Sequence, residues 1–173
     1  MYKFLLAFVV LILFMMESTV TEWLPGAFGE QDWLVIPHFS LVAVFLLAFK
    51  QGRSLGILYG ISMGLLYDVY YTGLIGIYAF SYTLMAYMIG VWSKYFQDTL
   101  IVALIVCTAG IAAVEWITYG VLLFIGFTSD PLQAFAYVRL LPTLVFNAIF
   151  CIILYKPFEY LIAKAEFADP IKN

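Results

Sequence analysis

Long apolar runs, broken by short polar punctuation, dominate this chain. From Phe4 to Met16 every position is apolar, and similar runs fill most of Leu34–Phe49, Ser54–Tyr71, Leu74–Trp92, Thr99–Ile125 and Ala134–Tyr155. A membrane-crossing helix needs about 20 such residues. The pattern therefore predicts an all-α, polytopic membrane protein: one integral membrane domain with six transmembrane helices. They are expected at about residues 3–22, 33–50, 54–71, 74–92, 99–125 and 134–155, with a tail over 156–173. The first run resembles a secretory signal, yet Glu17-Ser18-Thr19-Val20-Thr21-Glu22 offers no small-x-small cleavage site, so it reads as an uncleaved helix.

The punctuation has its own chemistry. Pro25, Gly26, Gly29, Glu30 and Asp32 form a loop between Trp23 and Trp33, which suit an interfacial aromatic belt. Pro37 is expected in the first turn of the second helix, or at a kink in it, and Pro142 at a kink in the sixth. Lys50-Gln51-Gly52-Arg53, Thr72-Gly73 and Ser93–Asp98 are tight turns. Ser129-Asp130-Pro131 is helix-start chemistry. After Lys156-Pro157, the spacing of Phe158, Leu161, Ile162 and Ala165 predicts a short interfacial helix.

Composition narrows the function classes. Of 173 residues, 65% are hydrophobic and 11% charged, with mean hydropathy +1.03. A chain of 19.6 kDa has too little interior to hide that much apolar surface from water. Six spans leave no room for an extramembrane catalytic, nucleotide-binding or DNA-binding domain. Charge placement says more than the net −3. With both ends cytoplasmic, Lys3, Lys50, Arg53, Lys94, Lys156, Lys164 and Lys172 lie inside, while the outer loops carry Glu22, Glu30, Asp32 and Asp130. The topology is accordingly N-in and C-in. Cys107 and Cys151 sit in apolar runs and read as packing residues.

Intramembrane charges cost about 2.5–3.5 kcal/mol each on insertion scales, so the few present carry information. They are Glu17, Asp68, Glu115 and Arg139, with His38 and Asn147 as polar additions. Counted by helical rise, Glu17 is about 21 Å from Lys3, Asp68 about 22 Å from Arg53, Glu115 about 25 Å from Asp98 and Arg139 about 25 Å from Lys156. All four fall at similar height in the outer half of the bilayer, which allows one polar cluster. The plainer reading has Glu17 and Glu115 snorkelling to the surface and Arg139 capping its helix. Asp68 is expected to be held by hydrogen bonds or by Arg139. His38, the one histidine, reads as an interfacial residue beside Pro37.

Gly52, Gly56, Gly60 and Gly64 recur every fourth residue in the third span, and the next step is Asp68. Such a stripe bares one helix face for close backbone approach. It serves either packing within the bundle or docking of a partner's helix. Of the 13 tyrosines, several crowd the third and fourth spans as belt residues or buried hydroxyls. No nucleophile–base pair, metal-ligand spacing, phosphate loop or nucleic-acid surface stands out, so neither catalysis nor a cofactor is expected.

The run Gly60-Ile61-Ser62-Met63-Gly64-Leu65-Leu66-Tyr67-Asp68, followed by Gly73, Leu74, Gly76 and Ala79, resembles the central motif of the rod shape-determining protein MreD family. Chain length, span number and the acidic first outer loop resemble that family too. The resemblance implies a non-enzymatic scaffold subunit in the bacterial plasma membrane, needed for rod shape and for organising lateral peptidoglycan synthesis. It implies as partners an MreC-like single-span protein, an MreB-like cytoskeletal filament and the RodA/penicillin-binding-protein synthase. It also implies a fold similar to the substrate-binding subunits of energy-coupling-factor importers. That likeness supplies the alternative, a subunit binding a small vitamin-like solute.

Overall fold

The computed structural model describes residues 2–23 and 33–167, and within them every regular element is helical. Helix α1 is Tyr2–Trp23, α2 is Phe39–Gln51 and α3 is Arg53–Tyr67, which widens into a π turn over Asp68–Thr72. Helix α4 is Ile77–Trp92 and α5 is Leu100–Phe124. The last helix, α6, opens with Leu132–Ala134, passes through a π segment at Phe135–Leu140 and runs on as Leu141–Phe167. Three stretches, Phe4–Glu22, Leu100–Phe124 and Leu132–Lys164, are long and apolar enough to cross a membrane. The loop residues Pro25, Gly26, Gly29, Glu30 and Asp32, and Lys172 in the tail, lie outside the described residues.

Helix α2 is the core. Every residue from Phe39 to Phe49 is buried, and α2 packs against all five other helices. A helix that is apolar around its whole circumference has no face to give to solvent, so it takes the centre. Its start departs from the expected second segment. Residues 33–38 form no regular secondary structure and are not helical. Pro37 holds Ile36 out of the helical region and has no N–H of its own, so the helix opens only beyond it.

The end of the chain departs as well. No separate interfacial helix forms; α6 continues through Lys156 and Pro157 to Phe167. Phe158 is 0% and Ile162 4% exposed, both within the main core, so this turn belongs to the bundle.

Helices α3 and α4 form a hairpin at backbone contact. A Cβ added at Gly60 would lie 2.9 Å from the Thr83 Cα, and one at Gly64 only 2.5 Å from the Ala79 Cα. At Gly56 it would meet the Ala48 Cβ at 2.7 Å and the Ala86 carbonyl at 3.1 Å. The face of the stripe is thus packed inside this chain, along Gly56, Gly60 and Gly64. Gly52 is not part of it. It closes the α2–α3 turn with φ 84° and ψ −178°, a backbone region open essentially to glycine alone, and nothing stands within 4 Å of its Cβ position.

Candidate functional site

Of the helices whose first residue makes no side-chain cap bond, α2 and α4 receive their cap from elsewhere in the bundle. Helix α4 starts after Gly76 (φ 113°), which has no side chain, and α2 after His38, which makes no side-chain cap bond. Uncapped N-terminal amides inside a bundle are costly. In each case a buried acid from another helix takes the cap. Asp68 Oδ2 accepts the amides of Gly76 (2.7 Å) and Ala79 (3.0 Å), and Oδ1 accepts that of Tyr78 (2.8 Å). Glu17 Oε1 accepts the Ser40 amide (2.7 Å) and hydroxyl (2.9 Å) at the start of α2. A carboxylate at a helix N-terminus is favoured by the aligned peptide dipoles as well as by the hydrogen bonds.

A second set of groups crosses the bundle as a chain. The Tyr82 hydroxyl lies 3.3 Å from His38 Nδ1, and His38 Nε2 lies 2.7 Å from Glu115 Oε1. Arg139 Nε donates to Glu115 Oε2 at 3.0 Å. These residues come from α4, the segment before α2, α5 and α6. Tyr82, His38 and Glu115 are fully buried, while the Arg139 side chain is 22% exposed. Tyr67 packs at a tilt beside this chain, its ring centroid 5.8 Å from that of His38 and 4.4 Å from that of Tyr78.

The segment 33–38 is strapped to α6. Leu34 donates its amide to the Val138 carbonyl (2.9 Å), Ile36 to the Thr143 hydroxyl (3.1 Å) and His38 to Asn147 Oδ1 (2.7 Å). Asn147 Nδ2 in turn donates to the carbonyls of Ile36 and Thr143, both at 2.8 Å. Alternate amides, those of residues 34, 36 and 38, thus all reach the same helix. Pro142 makes this possible: it has no N–H for the carbonyl four residues back, Val138, and Leu34 takes that acceptor. Non-helical backbone inside a bundle is tolerated where protein groups satisfy it in this way.

The four charged residues expected to form one cluster therefore form three separate arrangements. Glu115 and Arg139 pair. Asp68 does not meet Arg139; three backbone amides take its two oxygens. Glu17 serves α2 instead. Neither glutamate snorkels, since Glu17 is 1% and Glu115 0% exposed. His38 is buried at the centre rather than interfacial, because α2 starts deep in the bundle. Sequence reading left Ser40 and Thr143 without roles, and it named Tyr82 only among the tyrosines of the third and fourth spans read as belt residues or buried hydroxyls. The spacing from Val138 to Pro142 was the available signal for the strap. Cys107 and Cys151 are buried free thiols, and no group of three potential metal ligands occurs among the described residues. At the opposite end, Lys50 donates to both Asp98 oxygens (2.8 Å each), and Tyr155 donates to Oδ1 (3.1 Å), tying α2 and α6 to the turn before α5.

A helical bundle with membrane-length apolar helices, whose buried polar groups hold helix ends and cross-links, is a helical membrane protein with a fixed interior. The family model described as rod shape-determining protein MreD matches residues 2–165, and the chain belongs to that family. The rod shape-determining protein MreD of Bacillus subtilis (strain 168) is 28% identical over 172 residues, covering 98% of this chain and 99% of that protein. No solved structure matches the chain.

Proposed function

We propose that this chain is a non-catalytic scaffold subunit of the bacterial elongation machinery. It crosses the plasma membrane six times with both ends in the cytoplasm and presents fixed helix faces to its partners. Those partners are an MreC-like single-span protein, an MreB-like filament and the RodA/penicillin-binding-protein synthase, which together place lateral peptidoglycan synthesis. Membership of the shape-determining family supports the reading. The carrying observation is that Asp68 and Glu115, the acids with both oxygens bonded, bind backbone amides and neighbouring side chains of this same chain. That is the chemistry of a rigid support.

Two features support six spans. Helix α2 is about 20 Å long at 1.5 Å per residue, and the six non-helical residues 33–38 that lead into it lengthen its path toward the roughly 30 Å of a hydrocarbon core. The seven-to-none split of lysine and arginine between inner and outer segments supports the orientation. The solute-binding alternative is not favoured. The grooves at α1/α3 (about 890 Å³) and beside Trp33 and α6 (about 590 Å³) are lined almost wholly by apolar side chains, poor grips for a water-soluble vitamin. The test is affinity purification of the chain from a rod-shaped bacterium. Recovery of a single-span partner supports the scaffold; a stoichiometric small molecule with no partner overturns it.

A further inference from the structure

His38 is the one histidine of the chain, and its ring stands between two groups of different demand. Nε2 faces Glu115 Oε1 at 2.7 Å, and Nδ1 faces the Tyr82 hydroxyl at 3.3 Å. All three side chains are fully buried. An imidazole nitrogen either carries a hydrogen and donates or is bare and accepts, so the partners decide where the proton sits. Glu115 pairs with the permanently charged guanidinium of Arg139, whose Nε donates to Oε2 at 3.0 Å, and is therefore a carboxylate. A carboxylate only accepts, so Nε2 carries a hydrogen. A cationic ring would set a second positive charge against one carboxylate in the closed interior. Its Nδ1–H would also draw the Tyr82 oxygen toward the 2.7–2.9 Å or so of a charge-assisted bond. The observed 3.3 Å leaves Nδ1 bare, accepting from Tyr82.

We propose that Glu115 and Tyr82 lock His38 as the uncharged Nε2–H tautomer, which makes the crossing a one-way hydrogen-bond path with two settings. Tyr82 of α4 donates to His38 and His38 to Glu115 of α5, while Arg139 of α6 closes the path from the other side. The reverse setting carries the proton on Nδ1, donates it to the Tyr82 oxygen, and needs a donor opposite Nε2. Other described groups near the ring do not compete: Tyr67 stands at 5.8 Å between centroids, and the Asn147 side chain is taken up by backbone groups of residues 36, 38 and 143. Glu115 is thus a positioning residue that selects the tautomer. A glutamine in its place selects the other one. Arg139 has donors only and claims the amide oxygen, which turns the amide N–H toward His38 Nε2. The proton then sits on Nδ1, and the Tyr82 hydrogen turns away from the ring.

Nitrogen-15 NMR of the full chain, purified in detergent at neutral pH with labelled histidine, reads the setting directly, because one histidine gives one pair of ring signals. A bare imidazole nitrogen resonates far downfield of a protonated one. The unsubstituted chain is expected to show a protonated Nε2 and a bare Nδ1, and Glu115→Gln to exchange the two. Tyr82→Phe, which leaves Glu115 in place, is expected to keep Nε2 protonated and to shift the Nδ1 signal further downfield as its hydrogen bond is lost. Two protonated nitrogens, or a proton on Nδ1 alone, in the unsubstituted chain overturn the proposal without recourse to any variant. A folded Glu115→Gln protein that keeps its proton on Nε2 overturns it too, since packing loss alone lowers the unfolding midpoint without exchanging the ring signals. An Nδ1 signal unmoved by Tyr82→Phe removes Tyr82 from the path and overturns it as well.

Discussion

At the scale of single residues, two of the three buried acids among the described residues, Asp68 and Glu17, answer to helix ends rather than to opposite charge. Asp68 lies in the same outer zone as Arg139 by sequence arithmetic, yet its carboxylate takes the α4 amides. Asp68→Ala strands three amides and is expected to destabilise the fold by about 3 kcal/mol or more, while Asp68→Asn, which keeps one acceptor oxygen, costs about 1–2 kcal/mol. Arg139→Leu does not rescue Asp68→Ala; the two effects add to within about 0.5 kcal/mol, as unlinked sites do. Arg139 and Glu115 behave in the opposite way. Arg139→Leu alone leaves a buried carboxylate short of its counter-charge and costs about 3–5 kcal/mol, and adding Glu115→Gln recovers part of that loss. Thermal unfolding of the single and double variants in detergent separates the two cases.

At the scale of elements, the α3–α4 hairpin and the strap decide which substitutions the bundle accepts. Gly64→Ala drives a Cβ to within 2.5 Å of backbone on α4, so even this small change is expected to part the helices and deplete the protein from the membrane. Gly52→Ala meets no neighbour and carries only the backbone strain of φ 84° and ψ −178°, about 1–3 kcal/mol, so abundance is expected to fall less than in Gly64→Ala. Membrane abundance by immunoblot compares them. In the strap, Asn147→Leu removes the acceptor for the His38 amide and the donor to the Ile36 carbonyl. Hydrogen–deuterium exchange of residues 34–38 is expected to speed up markedly in that variant, while the α3–α4 hairpin stays protected. No change in the exchange of 34–38 would mean that the bonds to α6 do not hold the segment.

At the scale of the whole molecule, the class of fold was legible because hydrocarbon-matched runs and glycine spacing are local signals. Gly56, Gly60 and Gly64 marked a close helix contact, although not which helix would meet them. The candidate site was less legible. Helical rise puts Glu17, Asp68, Glu115 and Arg139 at comparable heights, but height alone is blind to facing. Which acid meets which helix depends on the central position of α2, a product of tertiary packing, and on its start beyond Pro37, a residue that the sequence pattern allowed either in the first turn or at a kink. The orientation is checked by thiol labelling of intact cells. A cysteine placed at Gly29 is expected to react from outside and one at Gly52 not to; the reverse pattern overturns the N-in assignment.

The central claim is that the buried polar residues build a support and perform no chemistry of their own. The most direct measurement is rescue of rod shape per amount of folded protein by Glu115→Gln, in a rod-shaped bacterium lacking its own family member. Glutamine keeps an oxygen and a comparable size, so a structural role predicts lower abundance and stability, with cell shape restored in proportion to the folded protein present. A Glu115→Gln protein that is folded, abundant and retains its partners, yet leaves the cells round, contradicts the account and assigns the buried carboxylate a chemical task.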